Sequence, residues 1–285
     1  MKIRPVILCG GAGTRLWSNL KNYQAKQFID FGGWTLFGKT LERVKNTIFD
    51  FPIISTNLKY LKEVKKHLKK HRISKYKIVL EPSKKNTGPA ILSAALLRDI
   101  PDKQPLIFFS SDHLIEKVKK FNYGIQTNKK FLNEKNIFIF GIKPKNPSDQ
   151  FGYFLTKNKK KHNYVYKFIE KTKKEKAKII INKGGYWNSG MFFVRKDSLI
   201  NNFKKYQKKI YQNTSLALSK SKYKNKTYYL NKKEFIKNPS KSFDYAILEK
   251  TNEISAIKLD IPWSDLGNWK EILLMFNKEK AKYIK

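Results

Sequence analysis

Sulfur chemistry is almost excluded from this sequence. Its 285 residues include one cysteine, Cys9, so no disulfide framework and no thiolate metal cluster can form within the chain. Cys9 lies inside an apolar run and reads as a small core residue. Acidic residues are scarce too, with 22 Asp and Glu against 61 Lys and Arg, a formal charge of +39. No apolar run approaches the roughly 18 residues of a membrane span. The N-terminus enters a strand at once, without a charged-then-apolar leader. A cytoplasmic protein with no membrane insertion is therefore expected. No linker rich in Pro, Gly or Ser divides the chain and no repeat is visible, so one domain over residues 1–285 is expected. Hydrophobic content of 40%, with 20 Phe and 15 Tyr, is ample for its core.

A charge of +39 normally raises nucleic acid or an acidic membrane as a partner. Here the excess is lysine, spread from Lys2 to Lys285 in short runs such as Lys65-Lys66 and Lys159-Lys160-Lys161. That spread argues against one binding stripe, and no specific nucleic acid is expected. The field should still draw anionic substrates, at a rate that falls with salt.

Short apolar runs alternate with helical patterns through the first half. Strands are expected near Val6 to Cys9, Pro52 to Ser55, Lys77 to Leu80, Leu106 to Ser110 and Ile137 to Gly141. Helices fit near Thr35 to Ile48, Leu58 to Lys70, Thr87 to Arg98 and Phe121 to Asn133. From Gly152 the rhythm changes to strands around Tyr153 to Thr156, Tyr164 to Ile169 and Met191 to Arg195, while Asn202 to Asn238 reads as surface helices and loops. The expected fold is α/β, a Rossmann-like doubly wound, mainly parallel sheet with added β elements over its binding edge. In such sheets ligands bind beyond the carboxyl ends of the strands.

The first strand ends in Gly10-Gly11-Ala12-Gly13-Thr14-Arg15, followed after a polar gap by Lys26-Gln27-Phe28. Backbone N–H groups of such a turn can cradle phosphate oxygens, and Arg15 and Lys26 add positive charge; a tight turn alone is the plainer explanation. The dinucleotide pattern fails at Leu16, where its third glycine should stand. A literal phosphate-loop match, Gly33 to Thr40, is a decoy: Trp34, Leu36 and Phe37 want burial, and helical spacing puts Lys39 on the solvated side.

Three acids stand at strand ends or between apolar neighbours. Glu81 follows a strand and precedes Asn86 and Thr87, which cap the next helix. Asp112, in Ser110-Ser111-Asp112-His113, is poorly placed for packing and well placed to hold Mg²⁺ against phosphate oxygens, although an Asp can also cap a helix. Asp265, in Trp263-Ser264-Asp265-Leu266-Gly267-Asn268-Trp269, suggests a carboxylate fixed at a pocket wall.

The glycine loop with Trp17 and Lys26-Gln27-Phe28 resembles the signature of the sugar-1-phosphate nucleotidylyltransferases, most of all the bacterial mannose-1-phosphate guanylyltransferases. The resemblance runs from Val6 to about Trp269 and implies the nucleotide-diphospho-sugar transferase fold. It implies that Gly10, Gly11, Gly13, Thr14, Glu81, Asn86 and Thr87 bind nucleotide, and that Asp112 and Asp265 bind Mg²⁺. Trp187-Asn188-Ser189-Gly190-Met191-Phe192 matches a family segment without change, and Gly152 and Glu170-Lys171 match others, so Gly152, Glu170, Lys171 and Asn188 are expected on the sugar. Read alone, these are a turn glycine, a surface charge pair and a turn residue. Phe243-Asp244-Tyr245-Ala246 is also similar to a family segment, but a helix-start Asp explains Asp244. Departures include Lys85 for Arg, Gly88 for Ala, and Ser18 and Ala25 for proline, the first two mild. The stretch after Trp269 is too short for the β-helix or isomerase domain common in the family.

The implied activity is transfer of a nucleotidyl group from GTP to mannose 1-phosphate, catalysed by Arg15, Lys26, Asp112 and Asp265 with Mg²⁺. The expected partners are those two substrates, with a homodimer as a candidate assembly. Another base or sugar, a polyanion-binding module on this fold, and an inactive nucleotide-sugar sensor remain as alternatives.

Overall fold

The computed structural model describes residues 1–11, 24–159 and 162–275. In chain order the strands are β1 (Arg4–Cys9), β2 (Ile53–Asn57), β3 (Lys77–Glu81), β4 (Pro105–Ser110), β5 (Leu114–Ile115), β6 (Ile137–Ile142), β7 (Tyr153–Lys159), β8 (His162–Ile169), β9 (Tyr186–Arg195), β10 (Lys222–Lys224), β11 (Thr227–Tyr229), β12 (Ile254–Leu259) and β13 (Trp263–Ser264). Eleven of them form one sheet in the order β10-β11-β3-β2-β1-β4-β9-β6-β12-β8-β7. From β11 to β4 the sheet is parallel; beyond, β9 runs antiparallel between β4 and β6, and the sheet becomes mixed.

Alternation along the central strands sends apolar side chains to both faces. Ile7, Ile54, Ile78, Ile107 and Phe109 pack on one side with Phe37 and Leu41 of α1 (Leu36–Arg43), Val64 and Leu68 of α2 (Leu61–Lys70), and a later helix. Val6, Ile53, Val79, Leu106 and Phe108 pack on the other with Ile91 and Leu92 of α3 (Thr87–Ala95). That later helix is α4 (Val118–Asn128), through Phe121 and Ile125, while α5 (Lys174–Asn182) joins the same side by Ala177 and Ile180. On the α3 side, α6 (Lys196–Tyr206) and α7 (Lys208–Ser219) bury Leu199, Phe203 and Ile210. Each large side chain so buried contributes about 1.5–3 kcal/mol, and the two clusters fix which strand ends open to solvent.

Asn202 to Asn238 holds more than surface helices and loops. Besides α6 and α7 it carries a hairpin whose β11 extends the sheet beside β3, and the short α8 (Lys232–Phe235). Its turn residues Asn225 and Lys226 both have positive φ (50° and 62°), which suits a two-residue hairpin and lacks the usual glycine signal. The remaining pair, β5 and β13, forms a separate two-stranded sheet with Trp263 opposite Ile115 and Ser264 opposite Leu114. Its continuation places Asp265 across from His113, so this small ladder delivers one isolated acid to the other.

Candidate active site

Three strands of the parallel half end together. β1 gives way to Gly10 and Gly11, β3 ends on Glu81, and β4 leads through Ser110 to Asp112. The Gly10 carbonyl accepts from Asn57 Nδ2 at 3.4 Å and the Gly11 carbonyl from Gln27 Nε2 at 3.0 Å, which ties the glycine segment to β2 and to the short helical turn Lys26–Phe28. Among the described residues nothing lies within 4 Å of where a side chain at Gly11 would go. Gly13, Thr14 and Arg15, together with Trp17 and Ser18, lie outside the described residues.

Lys26 is buried, and its ammonium lies 2.8 Å from Asp112 Oδ2 while also donating to the backbone carbonyl of Asp265, 239 residues away. Ser110 Oγ donates to Asp112 Oδ1 at 2.6 Å. Burial alone would raise the Asp112 carboxyl, but Lys26, His113 and these hydrogen bonds outweigh it and hold the group well below the usual carboxylate range. Burial lowers His113, against the pull of Asp112 and Asp265. Lys26 thus ties the Asp112 carboxylate to the backbone of Asp265. Ala25, where the family has proline, has φ −62° and ψ 138°, a conformation proline itself adopts.

Glu81 is buried with Oε1 accepting from Ser55 Oγ at 2.8 Å, and burial pushes its carboxyl up to about 7 against that bond. It lies against Gly10, whose side-chain direction passes 3.9 Å from Glu81 Oε1. Asn86 caps α3 by accepting from the Thr87 N–H at 2.8 Å, with φ 65°. The Thr87 hydroxyl accepts from the Phe243 N–H at 2.9 Å, and the Gly88 N–H donates to the Lys241 carbonyl at 3.0 Å.

That tether leads to a second group. The Asn188 N–H donates to the Gly152 carbonyl at 2.8 Å, the Glu170 carboxyl fills the space where a side chain on Gly152 would go, and Lys171 has φ 48°. Asn188 lies in β9, not in a turn, and its Nδ2 donates to Asp244 Oδ1 at 2.8 Å. The Glu170 and Asp244 carboxyls are both pushed above their ordinary range, by burial first, with Asp244 raising Glu170 further and Lys171 opposing. Asp244 does start a helical turn, but the contact with Asn188 is one that residue order alone does not reveal. Ser55 and Asn57 carry no sequence signal either: nothing in a buried strand marks which of its polar residues will face a glycine loop.

An aromatic row joins the two groups. His113 meets Trp263 edge-on at 5.3 Å, Trp263 meets Phe151 at 5.5 Å, and Phe151 meets Trp187 at 4.7 Å. A cavity of about 1020 Å³ borders this row, lined by Phe151, Trp187, Trp263 and Leu266, with Asp265 at its wall. The Gly33 to Thr40 match forms no phosphate cradle: Leu36 and Phe37 are buried in α1, Thr35 caps it, and Lys39 is exposed on its outer face. Among the described residues no helix is long and apolar enough to cross a membrane.

A mixed sheet wound on both faces, with a glycine strand end beside the Lys26–Asp112 pair, defines the nucleotide-diphospho-sugar transferase fold, and solved structures share it. One from Thermus thermophilus, described as a mannose-1-phosphate geranyltransferase, superposes with a TM-score of 0.82 at 22% identity, covering 97% of this chain and 79% of that one. The nucleotidyl transferase family profile matches residues 4–282, and the chain belongs to that family. It is 32% identical to a mannose-1-phosphate guanylyltransferase of Salmonella montevideo, over 97% of this chain and 60% of that protein. It is 31% identical to the alginate biosynthesis protein AlgA of Pseudomonas fluorescens, over 96% and 58%. The chain therefore spans a little over half the length of these relatives.

Proposed function

We propose that the chain transfers a nucleotidyl group from GTP to mannose 1-phosphate, giving GDP-mannose and diphosphate. The observation that carries this reading is the seat of Lys26, whose ammonium joins Asp112 to the Asp265 backbone beside the glycine strand end. The names of the relatives support the choice of sugar and base. An anionic phosphate oxygen of the sugar phosphate attacks the α-phosphorus of the triphosphate. The bond from that phosphorus to the oxygen bridging it to the β-phosphorus breaks, and diphosphate leaves with the electron pair. The nucleophile is already ionised, so the site needs no general base. Positioning and charge neutralisation do the rest.

In this reading Arg15 and Lys26 attend the phosphates. Gly10, Gly11, Gly13 and Thr14 cradle them, and Glu81, Asn86 and Thr87 complete the nucleotide pocket. Gly152, Glu170, Lys171 and Asn188 hold the sugar. Asp112 and Asp265 would hold Mg²⁺, and the donor set fits: hard carboxylate oxygens, one of them kept ionised by Lys26 and Ser110. Among the described residues no three acids, histidines or cysteines gather into a cage, which suits an ion that arrives with phosphate and water ligands. Charge neutralisation on the phosphates is what Mg²⁺ supplies when bound. Residues 1–285 act as one catalytic domain, a reading supported by a sheet that draws strands from β1 to β12. A GTP donor argues for a cytoplasmic reaction.

Incubating the pure protein with each nucleoside triphosphate and each hexose 1-phosphate, with and without Mg²⁺, and assaying diphosphate tests this directly. GTP with mannose 1-phosphate and Mg²⁺ should be fastest. Absence of diphosphate from every pair overturns the assignment.

A further inference from the structure

The candidate active site gathers at the start of α3, and a second, smaller cavity lies beyond that helix's other end. It measures about 320 Å³, between the chain leaving α3, the second half of α7 and the β10–β11 hairpin. None of the residues assigned above lines it. In the hairpin Tyr223 stands opposite Tyr228, so both rings fall on the same face, with centroids 4.5 Å apart. Tyr223 is 55% exposed, which leaves its outer ring face open to a flat ligand. Ser215, Ser219 and Ser221 place hydroxyls on the wall, and Arg98 adds a cation. Its neighbour Lys77, 5.8 Å from the Tyr228 ring, is ion-paired to Asp99, whereas Arg98 is exposed and has no ion-pair partner among the described residues. No described carboxylate lines the cavity, and Tyr223 is flanked in β10 by the exposed Lys222 and Lys224.

We propose that this cavity is a second ligand site, for a purine nucleoside monophosphate, separate from the transfer site and unused by the transfer reaction. The base stacks on Tyr223, the serine hydroxyls meet the ribose and the base edge, and the phosphate pairs with Arg98. Size favours a single nucleotide. About 320 Å³ is at the small end of ligand pockets, which run from roughly 300 to 1,000 Å³. A purine offers the tyrosine a larger ring than a pyrimidine does, so it gains more from stacking. A hexose phosphate fits worse, because its ring hydroxyls seek carboxylate or amide partners and the wall offers neither. The lysine excess around the hairpin draws the phosphate in, but the aromatic ring and Arg98 are what select the ligand.

Equilibrium dialysis of the full chain with radiolabelled AMP, GMP and CMP tests this without turnover, since none of the three carries a diphosphate leaving group. Whatever the transfer site binds, wild type should hold one more purine nucleotide per chain than Tyr223→Ala, in which loss of stacking weakens the second site about 10-fold or more. Arg98→Gln should lose the same site. Both side chains are exposed, so both variants should fold, and Tyr223→Phe, which keeps the ring, should retain binding. CMP should bind this site several-fold more weakly than AMP. Equal binding by wild type and Tyr223→Ala overturns the proposal, as does a loss that Tyr223→Phe shares, and equal affinity for CMP and AMP overturns the choice of a purine. A labelled single-stranded oligonucleotide is titrated alongside. If the strand depends on Tyr223 while the monophosphates do not, the site belongs to a polymer and the mononucleotide reading is overturned.

Discussion

Lys26 neutralises a carboxylate and also plugs a buried gap, so its removal should be felt twice. Lys26→Ala is expected to lower kcat by about 10²–10³-fold or more, and to destabilise the fold by about 1–3 kcal/mol, since partly exposed Asp112 keeps only its bond from Ser110. Steady-state rates on protein shown by circular dichroism to be folded separate the two effects, and Lys39→Ala, on the outer face of α1, should leave both unchanged. Glu81 gives a pH signature. Its folded carboxyl titrates near 7 against an ordinary 4.5, so between those values the folded state holds a proton that the unfolded state has lost. Stability from this group therefore falls as pH rises through that window, by up to about 1.4 kcal/mol per pH unit. Asp112 has the opposite sign: its contribution is present above the ordinary carboxylate range and disappears in acid. Denaturant melts of Glu81→Gln from pH 4.5 to 8 should show the wild-type decline flattened. At this scale the sequence marked Lys26, Asp112 and Asp265 by their odd neighbours. It did not mark Asp244, because a helix-start acid is satisfied locally and its partner Asn188 lies 56 residues away.

Strands β1 to β4 and β6 were legible because each is an apolar run bounded by turn residues, and their observed bounds fall within two residues of the expected ones, whereas the parallel strands β11 and β12 were not expected. Elements made by pairing instead of periodicity were not. β5 and β13 have two residues each, too few for any period, and β10 is fully exposed, so its composition says surface while its hydrogen bonds say sheet. The start of α3 shows how tightly such elements constrain one another. Gly88 replaces the family's alanine, and a Cβ there would stand 2.8 Å from the Lys241 carbonyl oxygen, backbone that cannot swing away like a flexible side chain. A change that reads as mild in sequence is therefore costly in this chain. Gly88→Ala should push the 241–244 segment off α3, lower the melting temperature by several degrees, and raise KM for GTP through its neighbours Asn86 and Thr87. Thermal melts and paired KM measurements check it.

For the whole molecule, a charge of +39 sets how anions arrive more than how they are held. Raising salt from about 0.05 to 0.3 M should reduce kcat/KM for GTP severalfold through slower encounter, with kcat nearly constant. The same field should give weak, steeply salt-dependent binding to DNA or RNA that persists in Asp112→Asn, a variant expected to lose turnover. Fluorescence anisotropy with a labelled oligonucleotide separates the two. Tight, sequence-selective binding that survives high salt would favour a polyanion-binding role.

The two-residue ladder between β5 and β13 also sets a timetable for synthesis. A ribosome that has released everything through β5 has delivered the glycine loop, Lys26 and Asp112, yet Asp265 emerges only some 150 residues later. Until then Lys26 lacks its second anchor, and a truncated nascent product can present a loop for nucleotides without both acids beside it. Competence thus arrives in one step, late, when the closing strand zips onto its short mate.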